Sequence, residues 1–392
     1  MPGGKIHGRA AESRWPGSIP GRHALVAAIW LIVAARVGSE FTGRGFRYWH
    51  LDLADFFHEQ ATFYRGTYPH SGVARPVPEI GGVHTDYPPY SFWLMAAWVP
   101  PGLGWPLEQF WFCACQGAAT AVLVGFAWCR GREVGRGAAW LLAGSVAAMT
   151  GLRADLLFGN FGALMAAMLV GLYWSLETGR WRIAGAAWLA GIMKPQMGWL
   201  FAWLFLSSKG WRALVGALVA LALLTSATCW WTGVAPMAIV HSGYSDRLLG
   251  MVAMPERHSL PSLLVAWGAA PKGALVAGAG LGMCAVGLAL QGRLSLAPAL
   301  SRFAFVALVG RICTYHNACD DLLLVFTLAF FGKRAWRTHA AADWASFLAL
   351  GATVWVPTAA SGSVAAAALL VAVWAVLAFR IAYLKHEPLA GC

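Results

Sequence analysis

The chain has 392 residues, of which 59% are hydrophobic and only 12% charged, and its mean hydropathy of +0.59 excludes an ordinary water-soluble domain. Its net charge of +12 does not point to nucleic acid, because most positive residues sit in short loops between apolar runs, as in the cytoplasmic loops of membrane proteins. The 45 Gly suit helices that pack closely in lipid, and many of the 22 Trp sit at the ends of apolar runs, where rings anchor at headgroups.

Residues 1–22 are rich in Gly, Pro and Arg and read as a disordered cytoplasmic N-terminus, with 23–392 a single membrane domain. The apolar run at 24–38 is short with a basic flank, like a signal-peptide core. No small-x-small cleavage site follows it, so it reads as a retained first span. The polar loop 40–88 comes next and holds six of the 17 carboxylates and four of the 11 histidines. A chain this apolar had many loops for its acids, and their concentration in this one suggests chemistry at the membrane surface.

Further apolar runs cover 106–128, 137–157, 161–176, 183–206, 212–231, 273–290, 298–313, 319–331, 340–358 and 363–384. Most can cross a bilayer or nearly so, which predicts an all-α polytopic bundle of about 11–13 transmembrane helices. The run 183–206 is interrupted by Lys194-Pro195-Gln196, so it is one kinked span or two short helices meeting at a polar apex. The short pieces 90–102 and 259–269 are expected to dip into the membrane without crossing, the second within another external loop, 232–272.

Basic residues orient the bundle. Arg130, Arg132 and Arg136 in one turn and Lys333, Arg334 and Arg337 in another, with the N-terminus, predict a cytoplasmic side. Loop 40–88, segment 153–160, Lys194 and segment 311–319 then face outward. The eight cysteines include no Cys-x-x-Cys pair and read as free thiols packed like small apolar residues; no metal site is expected.

The outward polar groups are few. Asp52, Asp55 and Glu59 stand at i, i+3 and i+7, one helical face beside His58. Such a face can be a general base, a cation site or a plain solvated surface. Arg153, Asp155 and Asn160 put a charge pair and an amide at a helix junction, for function or for capping and a local ion pair. Lys194 inside an apolar run is costly unless paired or hydrated and marks a functional cavity. His258-Ser259 and Arg311, Tyr315 and His316 complete the set. Each is weak alone; their arrival on one side, under a topology set by other residues, is not.

Four patterns stand in order between about residues 24 and 331. Asp52 is followed at +4 by Phe56, at +14 by Gly66 and then by Tyr68. Tyr87-Pro88-Pro89 leads into an apolar segment. Gly159-Asn160 opens a helix and is followed by Gly191-Ile192-Met193-Lys194-Pro195. Tyr315-His316 stands at a helix end. Together these resemble the GT-C class of polyprenyl-phosphate-sugar-dependent glycosyltransferases, most closely glycosyltransferase family 87, which includes polyprenol-phosphate-mannose-dependent mannosyltransferases. The chain departs from the family in Asn160 for the usual Gln, Phe56 for a frequent Tyr, and Glu256-Arg257-His258-Ser259 for a more familiar Asn-Gln-Ser.

The resemblance implies a GT-C-like bundle in the cell inner (plasma) membrane, with its active site on the external or periplasmic side. It implies inverting transfer of a hexose, mannose foremost, from a polyprenyl-phosphate donor to a lipid or glycan acceptor. Asp52 would be the general base, with Asp55 the runner-up. Asp55, His58, Tyr87, Asn160, Lys194, His258, Arg311, Tyr315 and His316 would bind substrate. No cofactor is implied beyond the lipid-linked donor. The partners implied are donor, acceptor and membrane lipids, with no nucleic acid. A rival reading is a secondary transporter or lipid flippase, which Lys194 in a broken helix would fit. Against it, the other half of the chain has no matching interruption.

Overall fold

The computed structural model describes residues 21–41, 51–67, 87–206, 210–239, 249–250, 252, 258–316, 318–356 and 363–384. Among them every regular element is helical, the arrangement that satisfies backbone groups within a segment when lipid offers no partner. The first half comprises α1 Gly21–Phe41, α2 Leu51–Tyr64, α3 Ser91–Met95, α4 Trp105–Arg132, α5 Arg136–Ala147, α6 Thr150–Phe158, α7 Gly162–Glu177, α8 Trp181–Gly191 and α9 Pro195–Gly198, with a 3₁₀ helix at Trp199–Phe205. The second comprises α10 Trp211–Thr232, α11 Pro236–Ile239, α12 Leu260–Ala266, α13 Pro271–Gln291, α14 Ala299–Cys313, a 3₁₀ helix at Ala318–Leu324, α15 Val325–Thr338, α16 Ala341–Trp355 and α17 Val364–Tyr383.

Among the described residues, α4, α10, α13 and α17 are long and apolar enough to cross a membrane, and α5 with α6 forms a fifth candidate bent by 45°. The chain is thus an all-α polytopic membrane protein. Other apolar runs become α7 with 16 residues, α8 with 11, α14 with 15, α15 with 14 and α16 with 15. The 11 to 13 runs counted in the sequence therefore divide into full-length spans and shorter helices. Helices α3 and α12, with five and seven residues, cannot cross, in keeping with segments that only dip in.

Burial varies widely from helix to helix. Helix α10 buries only Ala217 and Thr228, whereas α14 is buried along almost its whole length, against α7, α13, α15 and α17. Short helices have ends at membrane depth, and those ends are tolerable only inside protein. At the bend between α5 and α6, Arg36 of α1 donates to the carbonyl of Ala148 and to that of Trp355 at the end of α16. One guanidinium thus satisfies two carbonyls that helix breaks release. The turn from α4 to α5 is equally tight: a Cβ on Gly131 would stand 2.4 Å from the Cα of Ala139.

The two basic turns meet at one end of the bundle. Glu133 pairs with Arg130 at 3.0 Å and with Lys333, and Arg130 also reaches Glu177 at 3.5 Å. Beside them Asp343 accepts from Arg334 at 3.0 Å, Arg380 at 2.7 Å and Thr338 at 2.7 Å, tying α15, α16 and α17 together. Asp343→Ala would strand these three donors and is expected to cost about 3 kcal/mol. A lower thermal midpoint in detergent would read this out. A midpoint equal to the parent's would show that the cluster holds nothing together.

Candidate active site at the broken helix

The interruption at Lys194 is a hairpin of two short helices. Helix α8 ends at Gly191, and α9 starts at Pro195, which tolerates the first helical position because its missing N–H would have had no partner there. The chain folds back so closely that a Cβ on Gly198 would lie 2.9 Å from the carbonyl oxygen of Gly191. Carbonyls freed at the tip are taken by neighbours. Tyr90 Oη donates to Ile192 at 2.9 Å, and Ser91 Oγ to Met193 at 3.0 Å. Trp188 Nε1 donates to Gly198 at 3.0 Å, and Thr314 Oγ1 to Gln196 at 3.2 Å. Tyr90 and Ser91, just after Tyr-Pro-Pro, and Thr314 thus hold the hairpin from different parts of the chain.

Lys194 occupies this tip and is 3% exposed. Its Nζ donates to Asn160 Oδ1 and, at 2.8 Å, to Asp320 Oδ1, and it stands 6.0 Å from the centre of the Tyr87 ring. Gln196 Nε2 lies 3.4 Å from Asp320 Oδ2. His316 completes the group: Nε2 is 2.6 Å from Thr314 Oγ1 and 3.1 Å from the Gly310 carbonyl, while Nδ1 faces Asp320 Oδ2 at 3.7 Å. A carbonyl only accepts, so the bond to Gly310 requires the proton on Nε2 and leaves the Nδ1 lone pair toward Asp320 in the neutral ring.

A loop between α6 and α7 presents Asn160. Gly159 takes the left-handed conformation, φ +70°, that glycine adopts without steric cost. Asp155 accepts from the amides of Gly162 at 2.6 Å and Ala163 at 3.0 Å, so this carboxylate caps α7. The capping alternative for this residue is therefore realised. A second charged unit adjoins the first. Arg311, 1% exposed, bonds Asp321 through Nε, donates from Nη1 to the His258 carbonyl at 3.1 Å, and lies 4.4 Å from the Trp374 ring centre. His258 has φ +41°, a strained conformation for histidine that Arg311 helps to hold.

Helix α2 joins the site through aromatic rings. Phe56, Tyr87 and Phe161 meet with centroids 4.9 to 5.6 Å apart, linking α2 to the Tyr-Pro-Pro segment and to the neighbour of Asn160. Gly66, at φ +82°, ends α2 against the Trp231 carbonyl, a conformation that explains glycine at this spacing. Asp52 and Asp55 stand on α2, Asp52 one helical turn before Phe56, and their side chains lie outside the described residues. On the same helix His58 is exposed, whereas Glu59 is buried.

Of the candidates read from the sequence, Tyr87, Asn160, Lys194 and His316 converge on one centre, and Arg311 with His258 forms the adjoining unit. Tyr315 is buried beside His316 in the chain. The exposed side chain of His58 stands apart from the buried centre. Asp320, Gln196, Thr314, Asp155 and Gln116 are additional members. Asp155, read in the sequence as part of a charge pair at a helix junction, and Asp320 are both fully buried. Sequence signals existed for two of the additional members: Asp320 follows His316 by four residues, and Gln196 adjoins Lys-Pro. Among the described residues no group of three or more His, Cys, Asp or Glu can hold a metal ion.

The family model for glycosyltransferase family 87 matches residues 85–314, more than half of the chain. That span includes Tyr87, Asn160, Lys194, His258 and Arg311, and it ends just before Tyr315 and His316. No curated protein and no solved structure matches the chain.

The geometry fixes what a change at Lys194 does. Lys194→Met would leave Asp320 buried without its cation, a loss of about 3–5 kcal/mol. Adding Asp320→Asn should restore much of the thermal midpoint. A Lys194→Met protein as stable as the parent would mean that the pair carries no structural weight.

Proposed function

The chain belongs to glycosyltransferase family 87, and from that premise we propose that this membrane glycosyltransferase moves a hexose, mannose foremost, from a polyprenyl-phosphate donor to a lipid or glycan acceptor at the outer membrane face. The observation that carries the proposal is Lys194, a cation at the tip of a broken helix, buried against Tyr87, Asn160 and Asp320. A polyprenyl phosphate leaves without being protonated, so the transition state calls for positive charge near the phosphate in a site poor in water. Lys194 has three N–H bonds, of which Asn160 and Asp320 engage two. The third is available to a phosphate oxygen. His316, its Nε2 proton held by the Gly310 carbonyl, stands beside Asp320, and Arg311 acts by holding His258.

The reaction is a single displacement with inversion. The acceptor hydroxyl oxygen bonds to the anomeric carbon as the bond from that carbon to the phosphate oxygen breaks. The bond pair leaves with the polyprenyl phosphate, and the hydroxyl proton passes to a carboxylate. Asp52 takes that role on the family spacing to Phe56 and Gly66, and burial of Phe56 against Tyr87 and Phe161 ties its helix to the lysine site.

Asp52→Asn keeps size but cannot accept the proton, so turnover of radiolabelled polyprenyl-phosphate mannose should fall by roughly a hundred- to ten-thousand-fold while donor binding persists. Asp55→Asn should cost much less. If Asp55→Asn is the inactive variant, the base is Asp55. Normal transfer by both variants would remove the proposal.

Orientation is open to a separate measurement. Single cysteines at Thr42 and Gly135 of a cysteine-free variant are expected to react with an impermeant reagent in intact cells only at Thr42, because the basic turn at 129–136 faces the cytoplasm. Labelling at Gly135 would invert the topology.

A further inference from the structure

We propose that Asp155 and Gln116 are positioning residues that clamp the 159–162 loop so that Asn160 sets Lys194 against the donor phosphate. The inference rests on Lys194 as the phosphate partner.

Asp155 is 0% exposed and Gln116 1%, and an ionised or amide group at that depth is costly unless its bonds are made. Gln116 Nε2 lies 3.0 Å from the Asp155 carbonyl, 3.4 Å from Asp155 Oδ2 and 2.9 Å from the Asn160 carbonyl. The Asp155 carbonyl also accepts from the amides of Gly159 and Asn160, both at 3.0 Å. A helix cap needs only the contacts to Gly162 and Ala163. The remaining bonds fix the backbone on either side of Asn160, and they anchor it to α4, a full-length span. Nor is there slack: a Cβ on Gly162 would stand 2.6 Å from the Cys319 carbonyl and 2.7 Å from Asp155 Oδ1.

What the loop presents is one acceptor with two donors. Asn160 Oδ1 takes the Phe161 amide at 2.8 Å and the Lys194 ammonium. The first bond sets the amide plane from the loop's own backbone, so any rotation of the loop moves the acceptor that steers Lys194. Lys194 can otherwise swing on its flexible stem toward Asp320 alone. The clamp thus aims the lysine, and neither Asp155 nor Gln116 touches the donor.

The test measures the Kd of radiolabelled polyprenyl-phosphate mannose for the full-length protein in detergent, beside its thermal midpoint, so no acceptor is needed. Gln116→Ala, which keeps the carboxylate cap of α7, and Asp155→Asn should each weaken donor binding about tenfold, the effect of one lost hydrogen bond of ordinary strength. In a double-mutant cycle with Asn160→Ala the effects should not add, and Gln116→Ala/Asn160→Ala should bind as Asn160→Ala does. If Asp155→Asn does not fold, the Gln116→Ala cycle alone decides. Multiplying effects, or a lowered midpoint with unchanged Kd, would reduce the pair to a structural cap and overturn the clamp. A parent that binds no donor would overturn the functional reading and this inference with it; a parent that binds, with an additive cycle, would overturn only the clamp.

Discussion

A lysine ammonium cannot remain charged in a membrane interior without a counter-ion, and in this protein the pairing of Lys194 with Asp320 meets that constraint. The partners come from distant parts of the chain, one on the hairpin of α8 and α9, the other in the 3₁₀ helix before α15. Their attraction in a low-dielectric interior draws the hairpin tip onto the centre of the bundle. Asn160, Gln196 and His316 gather around that pair, so the site is assembled wherever the pair forms. Because the bond also holds the fold, a change at Lys194 acts on stability.

The same requirement, that no buried polar group go unmatched, governs the breaks in the helices. Each break frees carbonyls, and each is met by a side chain from elsewhere: Arg36 at Ala148 and Trp355, Tyr90 and Ser91 at the hairpin tip, Trp188 and Thr314 on its returning arm. Helix α14 lies within the protein, whereas the long α10 leaves most of its surface exposed. The breaks are where polar chemistry can enter an apolar bundle.

Charge divides the molecule lengthwise. One end gathers the basic turns and the cluster around Asp343, where guanidinium groups share a few acids. The Lys194 centre is buried, and Phe56, Tyr87, Phe112 and Phe161 form an aromatic cluster on its Tyr87 side. Burial strengthens each charge interaction there.

The sequence by itself determined the class. Apolar runs define helices, because helix or closed barrel is the only way to satisfy backbone in lipid, and Lys194 within such a run marked the site, because its burial needs a reason. Tyr87, Asn160 and His316 were legible as polar or aromatic residues at segment ends. The tertiary structure alone decided which runs form helices long enough to span and which form shorter ones, since run length does not say where a helix breaks. It alone decided that Asp155 and Asp320 are buried, one capping α7 and the other paired with Lys194. A carboxylate near a helix terminus looks the same in sequence whether it caps in water or pairs in the interior; only the fold brings residues 126 apart to 2.8 Å and so determines which of the two it is.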